Sequence, residues 1–92
     1  MAHSLSSKKR IRQNETRRAL NRARRSVLRS QLRESLEAVQ GADAAAAERQ
    51  FREACQLLDR EADRGLIHRN AAARRKSRLA KRLNALKARA GA

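Results

Sequence analysis

Apolar side chains recur along most of this chain at spacings of three and four residues, which is typical of amphipathic helices rather than strands. Within about residues 7–40, the apolar stripe consists of Leu20, Ala23, Val27, Leu28, Leu32, Leu36 and Val39. Before Leu20 the stripe thins to Ile11, while basic residues become more frequent. The pattern predicts one long first helix whose N-terminal part lacks a protein partner.

Two glycines, Gly41 and Gly65, divide the chain into three segments. We expect a second helix over about residues 43–64, with Asp43 as its N-cap and Gly65 as the left-handed residue after its end. Its apolar stripe is Ala47, Phe51, Ala54, Cys55, Leu58 and Ala62. A third helix is expected over about residues 67–89, with Ala72, Leu79, Leu83 and Leu86 along one side. In this pattern Cys55 is most simply a small core residue.

Short connections between the three helices favour antiparallel neighbours. The sequence therefore predicts an all-α, up-down-up three-helix bundle that forms a single domain over residues 1–92. At about 1.5 Å per residue, the first helix spans roughly 50 Å and the others about 30 to 35 Å, so the first must overhang at its N-terminal end.

The same length arithmetic gives a register between the helices. The turn at Gly65 should lie level with about Arg18 to Leu20. Residues 68–70 should then approach Arg17, Arg18, Asn21 and Arg22. The basic cluster at residues 74–78 should lie level with Arg24, Arg25 and Arg29, so that distant parts of the sequence form one basic surface.

The chain has 24 basic and 9 acidic residues, a net charge of +15, which is more than solubility requires. Residues 1–33 contain 11 basic residues and one acidic residue, and residues 65–92 contain nine basic and no acidic ones. Residues 34–64 contain four basic and eight acidic residues. This distribution implies a polyanionic partner that meets the two outer segments, with the middle segment facing solvent.

The residue types also indicate how the polyanion is bound. Phe51 is the only aromatic residue, so recognition of unstacked bases by aromatic stacking is disfavoured. Arginine outnumbers lysine 19 to 5, and its planar guanidinium can bridge phosphate oxygens in a bidentate way. We expect contacts mainly to phosphates and sugars of folded RNA.

The N-terminal end of the first helix carries charges that oppose its dipole. Four cations, Lys8, Lys9, Arg10 and Arg12, lie where each is disfavoured by about 0.3 to 1 kcal/mol. Phosphates would reverse the sign of this effect, so we expect residues 1 to about 18 to become ordered only on the partner. Strong amide-exchange protection of these residues in the free protein would contradict this hypothesis.

Several other classes of protein are disfavoured. With one cysteine and two histidines, the chain predicts no metal site and no cofactor. The lone cysteine fits a reducing cytosol. The first residues lack the apolar segment of a signal peptide, and no apolar run approaches the roughly 20 residues that cross a bilayer, so the protein is expected to be neither exported nor membrane-spanning. Glu15 is the lone carboxylate in the two basic segments, which argues against an enzyme with a small-molecule substrate.

Among binding proteins, a basic leucine zipper would need at least three or four heptads, and Gly41 ends this repeat after about two. A peptide for membrane surfaces is disfavoured because the apolar faces are rich in alanine and are needed to cover each other. A histone-like, DNA-compacting architectural protein stays open as the alternative, since it would share the charge and the lack of base recognition.

Two stretches are especially distinctive: SSKKRIRQNETRRALNRARRS, residues 6–26, and RGLIHRNAAARRKSRLAKRLNAL, residues 64–86. They closely resemble the family of bacterial small-subunit ribosomal protein twenty. The resemblance covers nearly the whole chain. It implies a three-helix bundle that binds 16S ribosomal RNA directly, between the 5′ domain and the long penultimate helix of that RNA. Other small-subunit components are implied as partners, together with a cytoplasmic location. It also implies a role in assembly without catalytic activity. His3 stands where a small polar residue would be expected.

The charge pattern and the resemblance together predict a set of RNA-binding residues, which we call the predicted contact set. From the first segment it contains Lys8, Lys9, Arg10, Arg12, Asn14, Arg17, Arg18, Asn21, Arg22, Arg25 and Arg29. From the third it contains His68, Arg69, Asn70, Arg74, Arg75, Lys76, Ser77, Arg78, Lys81 and Arg82. Two members have alternatives: His68 binds RNA or caps a helix, and Asn70 caps the third helix through the amides of Ala72 or Ala73 or binds a sugar or base edge.

Overall fold

The computed structural model describes residues 4–91; residues 1–3, which include His3, and Ala92 lie outside the described residues. Helix α1 spans Leu5–Gln40, α2 spans Ala44–Asp63 and α3 spans Arg69–Gly91. The described chain contains no strand. The helices pack side by side, and ion pairs from Lys76 to Asp59 and from Lys87 to Glu48 fix α2 and α3 as antiparallel. The predicted all-α three-helix bundle is confirmed.

Local side-chain and backbone chemistry explains where the helices begin and end. The Ser4 hydroxyl accepts a hydrogen bond from the Ser7 amide at 3.1 Å and caps α1, which begins at Leu5, two residues before its predicted start. The Asp43 carboxylate accepts from the amides of Ala45 and Ala46 at 3.1 and 3.2 Å, which confirms it as the N-cap of α2. A satisfied first turn of this kind stabilises a helix by about 1 kcal/mol.

Gly65 ends α2 in the conformation that its sequence position predicted. Its φ of 81° lies in the left-handed region, where residues with a Cβ are disfavoured. The Gly65 amide donates to the carbonyl of Ala62, and the Leu66 amide donates to that of Glu61 at 2.9 Å. These are the two hydrogen bonds of a Schellman motif, which turns the chain back toward α3.

The core consists of two clusters, one near each end of the three-helix region. Next to the loop between α1 and α2 lie Val39, Ala47, Leu83 and Leu86, with Leu36 and Phe51 packed against them. Next to the loop between α2 and α3 lie Leu28, Leu58 and Ala72, with Leu32, Leu57 and Ile67 packed against them. All four apolar positions predicted for the third helix are buried.

The predicted stripe of α1 is wrong at its N-terminal end. Leu20 is 47% exposed, Val27 is 60% exposed, and Ala23 is also exposed. Residues advance by about 100° around a helix axis. Val27 therefore lies beside the buried Leu28 rather than beneath α2 or α3, and Leu20 lies before the first buried position of α1. In α2, Phe51, Cys55 and Ala62 are half-buried rather than buried.

A polar contact joins α1 to α2 between the two clusters. The Ser35 side chain is completely buried, and its hydroxyl lies 2.9 Å from the carbonyl oxygen of Gln31 and 3.1 Å from that of Gln50. The Gln31 amide nitrogen donates to the Gln50 side-chain oxygen at 3.0 Å. The helical stripe contains this serine where a purely apolar pattern would require an aliphatic residue.

The N-terminal part of α1 extends beyond the rest of the bundle, as predicted. The molecule measures 68 × 20 × 15 Å, and α1 alone is about 54 Å long. Residues 8–20 are all exposed, and the first buried residue of α1 is Leu28. We call residues 5–20 the overhang. Whether these residues are ordered before a partner binds stays a prediction.

Candidate nucleic-acid interface

The basic side chains of α1 and α3 have few acidic partners within the protein. Among the described residues of α1 and α3, only two basic side chains, Lys76 and Lys87, have a nitrogen within 4.0 Å of a carboxylate oxygen. Both of those lysines pair with α2. The arginines of α1 and α3 therefore have no acidic partner among residues 4–91, and most of them are exposed.

The overhang contains the first seven members of the predicted contact set, and the structure exposes every one of them. They are Lys8, Lys9, Arg10, Arg12, Asn14, Arg17 and Arg18. The helix backbone holds these side chains around its full circumference rather than along one face. Further along α1, Arg22, Arg25 and Arg29 are exposed and Asn21 is half-buried.

The start of α3 resolves the alternatives for His68 and Asn70 in part. The His68 Nδ1 accepts a hydrogen bond from the Asn70 amide at 3.0 Å, so this histidine caps α3. A neutral ring that accepts at Nδ1 carries its proton on Nε2. Asn70 lies inside the first turn of α3 with an exposed side chain, so its capping alternative is wrong. Its proposed sugar or base contact is left as a prediction.

Lys76 differs from the other cations of the predicted contact set because it already has a partner. Its Nζ lies 2.7 Å from the Asp59 carboxylate oxygen, and this hydrogen bond raises the pKa of the Lys76 ammonium. The lysine is half-buried between α2 and α3. Its neighbours Arg74, Arg75, Ser77, Arg78, Lys81 and Arg82 are exposed.

The acidic residues of α2 hold this helix against α3 and balance its own arginines. The Glu48 carboxylate lies 3.2 Å from the Lys87 ammonium and 3.3 Å from the Arg52 guanidinium, and the Lys87 contact is the main reason that the pKa of Glu48 is lowered. Glu61 is buried; one oxygen lies 3.2 Å from Arg64, while the other has no hydrogen-bond partner among the described residues.

Cys55 lies on α2 in a half-buried position, as a small residue next to the core. Burial is the main influence on its thiol and raises the pKa. A raised pKa disfavours the thiolate, which is the reactive form of cysteine. The position therefore agrees with a packing role.

A groove between α1 and α3 places five arginines above an apolar floor. Arg33 of α1 lies on one side, and Arg74, Arg75, Arg78 and Arg82 of α3 lie on the other. The floor is formed by Leu32, Leu36 and Leu79, with Ala71 at one end. We call this the arginine groove; its volume is about 450 Å³.

The arginine groove corrects the register expected between α1 and α3. The sequence placed the cluster at residues 74–78 level with Arg24, Arg25 and Arg29, whereas the groove pairs it with Arg33, one helical turn further along. Arg33 is absent from the predicted contact set. Its spacing of four residues from Arg29 was the signal that could have included it. The predicted approach of residues 68–70 to Arg17, Arg18, Asn21 and Arg22 stays a prediction.

Fold and surface together define a small, strongly basic helical protein in which the arginines of α1 and α3 have no acidic partner among residues 4–91. Within the described residues, no helix is long and apolar enough to cross a membrane. Residues 2–84 match the protein family described as Ribosomal protein S20. The chain belongs to this family.

Individual relatives agree with the family match. The small ribosomal subunit protein bS20 of Shewanella woodyi is 51% identical over 88 residues, which cover 96% of this chain and 100% of that protein. The protein of the same name from Rhodopirellula baltica is 53% identical over 79 residues, 86% of this chain and 88% of that protein. The one from Stenotrophomonas maltophilia is 50% identical over 88 residues, 96% of this chain and 99% of that protein.

Proposed function

We propose that this protein is a structural constituent of the small ribosomal subunit that binds 16S ribosomal RNA directly and assists subunit assembly. The family match and the names of the relatives support the ribosomal role. Small ribosomal subunits lie in the cytoplasm, so this is where the protein acts. Its role is architectural rather than enzymatic, and its partners are the RNA and other components of the subunit.

The observation that carries the RNA-binding proposal is the separation of charge between the helices. Helices α1 and α3 contain 20 of the 24 basic residues, and their arginines lack acidic partners within residues 4–91. A surface with this much uncompensated positive charge opposes its own folding unless it attracts anions. Phosphates of a compact RNA supply that negative charge, and guanidinium groups bind them in a bidentate way.

The three helices have different roles in the proposed binding. The overhang and α3 contribute the cations, and α2 braces the pair through Asp59 and Glu48. The protein contacts more than one RNA segment because α1 extends well beyond the other helices. Bound protein favours the RNA arrangement in which those segments converge, which is how it assists assembly.

The predicted contact set forms the proposed binding surface, with two changes that follow from the structure. Arg33 joins the set because it lines the arginine groove with Arg74, Arg75 and Arg78. Lys76 contributes less than the others because its ammonium is bound to Asp59. His68 orders the first turn of α3 and presents its Nε2 as a donor.

Replacement of Arg74, Arg75 and Arg78 together by glutamine tests the proposal. Glutamine keeps the helix propensity but removes the charge. Binding to a 16S RNA fragment should weaken, and the slope of log K against log salt should fall by about 0.7 to 0.9 for each phosphate that the variant no longer neutralises. The measurement is a fluorescence titration at several salt concentrations.

The matched control replaces Arg49, Arg52 and Arg60 of α2, which are also exposed, by glutamine. This variant loses the same charge from the acidic helix and should bind nearly as tightly as the unmodified protein. Equal weakening in both variants would contradict a localised surface. Equal affinity of the unmodified protein for duplex DNA at the same salt would favour the DNA-compacting alternative.

A further inference from the structure

The arginine groove differs from the rest of the cationic surface because it has an apolar floor. Helices α1 and α3 contact each other less than either contacts α2, so the surface between them is left open. Leu79 of the floor is buried at its base, while Leu32 and Leu36 are only half-buried and stay accessible from the groove. Phosphates alone gain nothing from aliphatic side chains.

The rim of the groove selects an anion. Its five arginines come from two helices, and no carboxylate of residues 4–91 lies within 4.0 Å of any of them. Guanidinium groups bind phosphate through their edges and stack on flat rings through their faces. An arginine rim above a leucine floor therefore fits a ligand that combines a phosphate with a flat, weakly polar ring.

The size of the groove limits how much of such a ligand can enter. A volume of about 450 Å³ lies in the lower half of the range of small-molecule sites, about 300 to 1,000 Å³. That space is large enough for one nucleotide and too small for a paired helix or a stacked run of bases to enter whole. Bases within an RNA duplex are stacked and cannot reach the floor, whereas a bulged nucleotide can leave the helix.

We propose that the arginine groove holds one unpaired nucleotide that projects from the bound RNA, with its base against Leu32, Leu36 and Leu79 and its phosphate among the surrounding arginines. The proposal rests on the RNA-binding function and adds a preference for RNA helices with a bulge. It requires no aromatic residue, since arginine planes and aliphatic side chains cover the two faces of the base.

Two RNA hairpins that differ only by one unpaired adenosine test the proposal. The unmodified protein should bind the bulged hairpin roughly 5-fold more tightly, the lower end of what a base stacked on an aromatic ring contributes, because arginine and leucine take the place of the ring here. In the variant Ala71→Leu, which fills the end of the groove and keeps every arginine, this preference should disappear while affinity for the paired hairpin stays unchanged. The control Ala73→Leu adds the same side chain at an exposed position outside the groove and should keep the preference.

Leucine methyl NMR on the unmodified protein gives a second measurement that does not depend on how the variants fold. Adenosine monophosphate should shift the methyl signals of Leu32, Leu36 and Leu79, and inorganic phosphate at the same concentration should not. Equal shifts with adenosine monophosphate and inorganic phosphate, or no shift with either ligand, would overturn the proposal. Equal binding of the two hairpins, or a preference for the bulged hairpin that survives in Ala71→Leu, would overturn it as well. If neither hairpin nor the 16S fragment bound, the RNA-binding function itself would fail; tight binding without a bulge preference would remove the groove proposal alone.

Discussion

Val27 and Leu28 are adjacent residues, and both belong to the predicted apolar stripe of α1. The structure buries Leu28 and exposes Val27, so replacing each by alanine tests the packing of α1. Leu28 is 6% exposed and Val27 is 60% exposed. Leu28→Ala removes three buried carbon groups, worth about 0.8 kcal/mol each. The cavity that remains raises the loss of unfolding free energy to about 3 kcal/mol or more.

For Val27→Ala the same arithmetic gives a value near zero. Two methyl groups that are less than half buried contribute only about 0.6 kcal/mol. Alanine offsets this loss because its helix propensity exceeds that of valine by about 0.5 kcal/mol. A domain of this size has a total stability of about 5 to 14 kcal/mol, so the two variants should differ clearly.

The assay is urea unfolding followed by circular dichroism at 222 nm, with free energies from linear extrapolation. A salt concentration of about 0.15 M screens the repulsion among exposed cations beyond about 8 Å. If Leu28→Ala does not fold, Leu28→Val supplies a smaller perturbation at the same position. Equal losses at both positions, or a loss above about 1 kcal/mol for Val27→Ala, would refute the packing described for α1.

Three further predictions concern the ends of α2 and its ion pairs. Gly65→Ala should destabilise the protein by about 1 kcal/mol in the same urea assay, because a Cβ meets no neighbour there but the positive φ is strained; an unchanged stability would contradict the left-handed turn. Asp43→Ala should lower the melting temperature, because loss of the N-cap costs about 0.5 to 2 kcal/mol of stability. Asp43→Asn should keep most of that stability, and an asparagine variant as unstable as the alanine variant would argue against the cap. The pKa of Glu48 is held below its usual value of 4.5, mainly by Lys87, so this group stabilises the fold above pH 4.5 and loses that contribution as the pH falls through its folded pKa. In Lys87→Met the Glu48 carboxyl signal in an NMR titration should move back toward that usual value, and a titration identical to that of the unmodified protein would contradict the ion pair.

Local chemistry made both ends of α2 predictable from the sequence. Asp43 and Gly65 act through their own side chain or backbone within a few residues, so their roles do not depend on how the helices are arranged. The apolar side of α3 was predictable for a related reason. Its leucines are separated by three or four residues, and the helix has partners along its length.

Tertiary arrangement decided the positions that the sequence predicted wrongly. Leu20 and Val27 fit the period of the α1 stripe, but periodicity does not say how far a neighbouring helix extends or which edge of the stripe it covers. The buried Ser35 was missed because the contact of its hydroxyl with the Gln50 carbonyl exists only after α1 and α2 meet.

The arginine groove is another feature that depends on the tertiary arrangement and that the sequence pattern did not predict. The sequence indicated which segments carry the charge, but the register between α1 and α3 brings Arg33, rather than Arg29, to the cluster on α3. A shift of one turn changes which leucines lie beneath the cations. The apolar floor of the groove could therefore be found only from the structure.

In the proposed function, the overhang places part of the binding surface away from the residues that form the core. Its arginines and lysines are exposed and lie before Leu28, the first buried residue of α1, so replacing one of them leaves no cavity in the core. If the proposed function holds, the affinity for the partner can change by one overhang cation at a time while the packing of the core stays the same.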